Sequence, residues 1–433
     1  MKEIIFLNRA YNDLDIQLSL IEAFAKDDNI KLRVIGYPCD GDMGTPSAHE
    51  AVPYMKSTYN NISFETVINH DAPLILRAIY KAERIFAAWR KKKPAKITPI
   101  AFILKYIHVS LLITMRKLLQ GEQKWLFKVT GKWNPAAIII DEVYAVANRS
   151  FITDSILPKL QEKGVPVYMI QTGHNIYKAA MPSGRSKPQY KKTSAPRFFM
   201  PSKLDKVINC ELFPDEKHQV SGNLRMDSDW LKKLHNEVLK PPYYHGDKII
   251  KSLPEGKPKI AFMLSKMNYG IDAEKLKETI ATICKMEGVA VTLKPHTRGM
   301  KFDFMKRSEI ENAVIAPDIP SPLLMEWADI ILFTGSSVVY HAMLMNKPVG
   351  FLSFCQNHET VFDAGDTAIA LSSLEQLTDA ITAYRDRQEP FISDDRQKEI
   401  NEALTQIVYA GDSSGMIAES HKNIILEDIA KLK

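Results

Sequence analysis

The sequence predicts an α/β fold made of two parallel-sheet domains. Three observations carry this. Apolar runs of strand length alternate with amphipathic helical stretches in the first half of the chain. The same alternation restarts after residue 258. Between the two, the stretch LKPPYYHGDKIIKSLPEGKP (239–258) gathers prolines and glycines, the composition of an inter-domain linker. Strand–helix alternation of this kind places a parallel sheet between two layers of helices. The 433 residues leave room for two or three domains of roughly 100–200 residues each.

In chain order, strands are expected at Glu3–Leu7, Lys31–Tyr37, Ser63–Ile68, Ala136–Asp141 and Val165–Gln171. The intervening helices include DLDIQLSLIEAFAKD and SFITDSILPKLQEKG, the latter closed by Lys163-Gly164. Residues of about 72–128 read as an all-helical insertion in this first domain, and 182–196 (PSGRSKPQYKKTSAP) as a polar, proline-bearing loop. These elements make residues 1–238 the first domain and 259–393 the second, with 394–433 a pair of terminal helices around AGDSSG. In the second domain KPKIAFMLS, VAVTLKPH and NAVIAP read as strands. Ala273–Lys285 and SPLLMEWA read as helices, and AIALSSLEQLTDAITAYRD as a strand followed by a helix capped by Ser372 or Ser373.

Composition removes several classes. The net charge of +6 and pI near 8.8 accompany no basic stripe with interleaved aromatics, so nucleic acid is not an expected partner. Cys39, Cys210, Cys284 and Cys355 form no C-x-x-C pair, which argues against a cysteine metal site or a disulfide framework and suits a cytoplasmic location. MKEIIFLNRAYNDLD carries an apolar run too short for a signal peptide. Asp40–Asp42 (DGD) reads as a turn, and no Asp-x-Asp stands at a strand end, so no metal is expected. The segment 90–119 is apolar over Ile97–Met115 and flanked by basic clusters. Lys105 and His108 in its middle disfavour a membrane span. A helix packed on a core and a helix lying on the anionic inner face of the cytoplasmic membrane both fit.

Chemistry is expected at strand carboxyl ends, because ligands bind there in open α/β sheets. In the second domain three such ends carry polar or cationic residues: Ser265 and Lys266 in FMLSKMNYG, Lys294, His296 and Arg298 in VTLKPHTRG, and Gly335, Ser336 and Ser337 in FTGSSVV. Hydroxyls, an imidazole, cations and a helix start are the parts of a phosphate site. Ser337 is equally a plain helix cap, His296 a core histidine, and Lys294 and Arg298 solvated charges. In the first domain the strand ends deliver Asn8, Arg9 and Asp13, then Asp141 and Glu142, then His174. An acceptor hydroxyl needs a carboxylate or imidazole within hydrogen-bond reach. Asp141 and His174 fill that role equally well. Each is also explained as a loop-satisfying polar group.

On these motifs the chain resembles the GT-B glycosyltransferase superfamily, most closely its bacterial surface-polysaccharide branch. That branch includes the CDP-glycerol glycerophosphotransferases, the sialyl- and Kdo-type transferases and the UDP-N-acetylglucosamine 2-epimerases. ADIILFTGSSVVYHAMLMNKPVGFL resembles the branch's donor-phosphate segment, and KPH its His-Pro-type motif. HQVSGNLRMDSDWL (218–231) resembles the element that closes the N-terminal domain, and MIQTGHN a strand end there. The resemblance implies two Rossmann-like domains facing a cleft, with terminal helices crossing back to the first. It implies a nucleotide-sugar donor and no further cofactor, Ser265, Lys266, Lys294, His296, Arg298, Gly335, Ser336 and Ser337 at the donor, and His174, Asp141 and Glu142 as catalytic candidates. Asn8, Arg9 and Asp13 would face a carbohydrate or lipid-linked acceptor. Two departures matter. Tyr340-His341 replaces a ribose-gripping acid pair, and QTGHNIY replaces HVEAGLR. Both favour transfer over epimerisation and make a CMP- or CDP-activated donor at least as compatible as a UDP one. The expected function is a transferase of capsule or lipopolysaccharide synthesis; an epimerase or hydrolase of UDP-N-acetylhexosamine and a non-catalytic capsule-assembly module are the alternatives.

Overall fold

A computed structural model of the protein describes residues 1–8, 11–36, 49–66, 133–141, 157–178, 196–214, 216–296 and 304–431, with isolated positions at 78, 81–82, 106–107, 110 and 302. Two open sheets organise these residues. The first holds β1 (Lys2–Asn8), β2 (Ile30–Gly36), β3 (Ile62–Thr66), β4 (Ala137–Asp141), β5 (Val167–Ile170), β6 (Arg197–Met200) and β7 (His218–Val220). Their spatial order is β3-β2-β1-β4-β5-β6-β7, and every pairing is parallel. The second holds β8 (Lys259–Met263), β9 (Ala290–Lys294), β10 (Ala313–Ile315), β11 (Ile330–Phe333), β12 (Val349–Leu352) and β13 (Ile369–Leu371). It is also all parallel, in the order β10-β9-β8-β11-β12-β13. In both sheets the chain order reverses beside the first strand, next to β4 in one and β11 in the other. Such a reversal opens a crevice at the carboxyl ends.

Parallel strands covered on both faces read as continuous apolar runs rather than alternating ones. IIFL in β1, AIII in β4 and IILF in β11 do so, and all twelve of these residues are buried. The helices that cover them are α1 (Tyr11–Ala25), α2 (Ala51–Thr58), α3 (Leu157–Glu162), α4 (Lys203–Leu212), α5 (Ser228–Lys233) and α6 (Gly246–Lys251), then α7 (Ala273–Lys285), α8 (Ser321–Trp327), α9 (Val339–Leu344), α10 (Leu374–Asp386), α11 (Asp394–Val408) and α12 (Ile417–Lys431). Helix α7 occupies the predicted range, started by Asp272, whose side chain accepts from Lys275 N–H. Ser373, not Ser372, caps α10.

Several elements differ from expectation. β6 and β7 were not foreseen: RFFM and HQV are four and three residues long, too short to show a period. The expected linker 239–258 contains α6, whose Gly246 is packed against Leu239 and Leu323. Of the two terminal helices, α11 stays on the second domain through Ile400, Leu404 and Val408. Only α12 crosses to the first, where Ile417, Ala418, Ile425 and Ile429 join the core around α1. The GNLRMDS stretch seats this crossing. Asn223 N–H donates to the Val408 carbonyl, Ser228 N–H to Gly415, and Ala418 N–H to the Asp227 carboxylate. The expected helical insertion and the basic segment 90–119 lie outside the described residues, apart from the isolated positions above. Among the described residues no helix is long and apolar enough to cross a membrane.

Candidate active site

The carboxyl ends of the two sheets face one another, and the meeting point is tight. Gly173, just past β5, has φ +144°, and a methyl group on it would stand 3.4 Å from Ser337 Oγ of the opposite domain. Beyond it the chain crosses over. Tyr177 forms an antiparallel bridge with Thr360; Val361 N–H donates to the Ile176 carbonyl at 2.9 Å and Lys178 N–H to the Glu359 carbonyl at 3.3 Å. Tyr177 Oη also donates to the Tyr269 carbonyl, and Lys178 pairs with Glu359.

His174 sits at this meeting point and is buried. Its Nδ1 lies 3.2 Å from Asp205 Oδ2, and its Nε2 is buried with no hydrogen-bond partner among the described residues. The ring packs edge-on against Tyr340 of α9 with centroids 4.8 Å apart. Thus Tyr340 is a wall for the imidazole. Asp205 is completely buried and saturated. Oδ1 accepts from Gln171 Nε2 at 2.6 Å and Asn175 N–H at 2.7 Å, while Oδ2 also accepts from Ser202 Oγ at 2.6 Å. Burial opposes its charge, but His174 and these donors outweigh it and hold the carboxyl below the ordinary aspartate range. Asn209 Nδ2 fixes Gln171 in turn.

Asn8 ends β1 at the switch point, buried, with both amide atoms lacking a partner among the described residues. Asp141 ends β4, buried, and accepts from the Thr172 hydroxyl. That bond ties it to the β5 loop, beside the loop's own histidine. Asp13 is buried in the first turn of α1. Glu142, Arg9 and Arg298 lie outside the described residues.

The second-domain positions fall into two groups. Ser336 and Ser337 are half-buried, and neither hydroxyl has a partner among the described residues. Neither caps the helix: the residue before α9 is Val338, with no side-chain cap. At six residues α9 also has a weaker dipole than a long helix, so an anion here would rely on the hydroxyls and the turn's N–H groups. Gly335, at φ +146°, is enclosed by Gln356, Tyr177 and Ile176. The other positions are committed elsewhere. The Ser265 hydroxyl donates a hydrogen bond to the Gly335 carbonyl, tying β8 to the β11 turn. Lys294 is buried and donates to the Pro317 carbonyl at 2.7 Å; burial pushes its pKa down to about 8, against the pull of Asp318 and Glu50. Lys266 stacks over the Tyr269 ring, and His296 packs edge-on to the same ring at 6.4 Å.

A second set of charged and aromatic contacts, partly within the first domain and partly across to the second, was not foreseen. Arg225 pairs with Asp15 at 2.6 Å, and Asp15 lies 3.5 Å from His49, on whose ring Tyr11 stacks. His341 of α9 meets His235 at 2.9 Å, while Lys240 and His235 each lie 3.5 Å from Glu326. Only tertiary contact unites these residues, and no sequence spacing announces them. Among the described residues no group of three or more His, Cys, Asp or Glu side chains could hold a metal ion.

No protein-family model matches the chain, and no curated protein matches it in sequence. Solved structures do match in fold. A UDP-GlcNAc 2-epimerase from Neisseria meningitidis, bound to UDP-GlcNAc, aligns with TM-score 0.58 and 13% identity over 98% of this chain and 100% of that one. The UDP-GlcNAc 2-epimerase from Methanocaldococcus jannaschii gives 0.56 and 11%, over 99% and 100%. The wall teichoic acid polymerase TagF gives 0.53 and 12%, over 99% and 90%. At such identities the likeness is one of fold: two Rossmann-like domains in the GT-B arrangement.

Proposed function

We propose that the protein is a metal-independent transferase using a nucleotide-activated donor, with a CMP-sugar or CDP-alditol favoured. Its acceptor would be a carbohydrate or lipid-linked glycan of the bacterial cell surface. One observation carries this reading. A buried imidazole with one nitrogen held and the other unpartnered among the described residues stands opposite a turn whose two hydroxyls are likewise unpartnered there. In the proposed step the acceptor hydroxyl gives its proton to His174 Nε2. The acceptor oxygen bonds the donor's reacting carbon or phosphorus. The bond from that atom to the nucleotide's phosphate oxygen breaks, and its electron pair leaves with the nucleotide. Ser336, Ser337 and the N–H groups of their turn would stabilise that developing charge. Asp141 would orient the loop rather than act as base, because its carboxylate is engaged by Thr172. Asn8 would meet the acceptor. The basic, apolar segment 90–119 suits a protein that works at the inner face of the membrane.

A thermal-shift panel of CMP, CDP, UDP, GDP and ADP tests the donor site, since a bound ligand stabilises by RT ln(1 + [L]/Kd). A cytidine nucleotide should raise the midpoint. Ser337→Ala should shrink that rise, and His174→Gln should keep it while abolishing transfer. Activity should survive EDTA. If no nucleotide shifts the wild type, the donor-site reading fails. Conversion of UDP-N-acetylglucosamine to its 2-epimer without an acceptor would instead favour the epimerase reading, which the fold of the Neisseria and Methanocaldococcus enzymes supports equally.

A further inference from the structure

We infer that Asp205 is the positioning residue of the site, fixing the proton of His174 on Nδ1 so that Nε2 presents a lone pair to the cleft. The inference rests on the proposed role of His174 as base. An ionised carboxylate only accepts hydrogen bonds. Asp205 is ionised in the fold, since three donors besides the imidazole converge on it: Gln171, Asn175 N–H and Ser202. The nitrogen facing it must therefore be the donor. In the neutral ring the proton then sits on Nδ1 and the acceptor is Nε2. That nitrogen is the buried, unpartnered one.

The surrounding bonds keep the carboxylate from turning away. Gln171 Nε2 reaches both Asp205 and the Gly173 carbonyl, and Asn209 holds its other end. Ser202 caps α4 by accepting from Asp205 N–H and donates to the same carboxylate. Tyr340 packs edge-on against the ring. The arrangement has two consequences for the proposed step. The imidazole is presented in the tautomer able to take a proton, and the imidazolium that forms is stabilised by a buried negative charge.

The test is direct. Full-length protein labelled with ¹⁵N-histidine, with His174 assigned by its loss in His174→Gln, reports which ring nitrogen carries the proton. We expect Nδ1–H in the wild type and Nε2–H in Asp205→Asn, whose amide offers a donor instead. In parallel, nucleotide release from CDP-glycerol, CMP-N-acetylneuraminate and UDP-N-acetylglucosamine is measured. Asp205→Asn should lower kcat at least about 100-fold with KM within about threefold. A wild-type proton on Nε2 overturns the inference, as does an unchanged kcat in Asp205→Asn. The expected tautomers without turnover of any donor would support the inference and count against the proposed function alone. The wild-type spectrum decides the matter even if Asp205→Asn does not fold.

Discussion

His341 is a fully buried histidine whose environment disfavours its charged form. Burial, His235 and Arg225 push its pKa down to about 3, so it folds as a neutral ring. The unfolded chain binds a proton here below about pH 6.5 that the folded one refuses until about pH 3. Its contribution to stability is therefore full above 6.5 and is lost as pH falls. At pH 5 it should remove on the order of 2 kcal/mol relative to pH 7. Urea melts at the two values should show a shallower loss for His341→Gln, and an equal loss in both proteins would refute the assignment. At this scale the sequence spoke unevenly. His174 was legible because it ends an apolar strand. Asp205 lies 31 residues further on, and its own neighbourhood announces only a helix cap, the Ser202-to-Asp205 spacing. Lys294 and Ser265 had the right residue types at the right strand ends. Their side chains are bound to the Pro317 and Gly335 carbonyls, which no local pattern discloses.

Among the elements, the Thr334–Ser337 turn is closely constrained. Its glycine combines a left-handed φ with side chains at 3.1 and 3.2 Å from any added methyl, namely Gln356 Nε2 and Tyr177 Oη. Gly335→Ala should cost about 1–3 kcal/mol, read as a lower melting temperature, and should weaken nucleotide binding more than folding. An unaltered midpoint would mean the turn is freer than its contacts indicate. Strand–turn–helix was readable here because β11 and β12 are unbroken apolar runs around a polar break. The length of α9 was not readable. Its apolar residues continue past the helix, and Asn346, at φ +55°, turns the chain toward β12. β6 escaped for the opposite reason, being a short run after a long polar stretch.

Across the whole molecule, the chain passes between the domains at the 239–258 connection and again between α11 and α12. Truncation after Val408 would strip Ile417, Ala418, Ile425 and Ile429 from the first core. At about 1.5–3 kcal/mol per buried isoleucine and under about 1 for the alanine, the loss is on the order of 5–10 kcal/mol, as large as the stability of a typical domain. The truncated chain should lose cooperative unfolding of the first domain and become protease-sensitive between residues 1 and 238. Intact resistance there would show that α12 is dispensable. The return of terminal helices was anticipated from resemblance. That only one makes the journey follows from their sequences: α11 spends its buried residues, Ile400, Leu404 and Val408, on the second core.

The bridge at Tyr177 and Thr360 gives the molecule a built-in gauge of cleft opening. Two amides, Val361 and Lys178, are bonded across the cleft rather than within either domain. Their exchange with deuterated solvent would time the parting of the domains themselves, while neighbouring amides in β5 and β12 would time unfolding. The ratio of the bridging amides' exchange rate to that of an unprotected amide would give the fraction of time the cleft stands open.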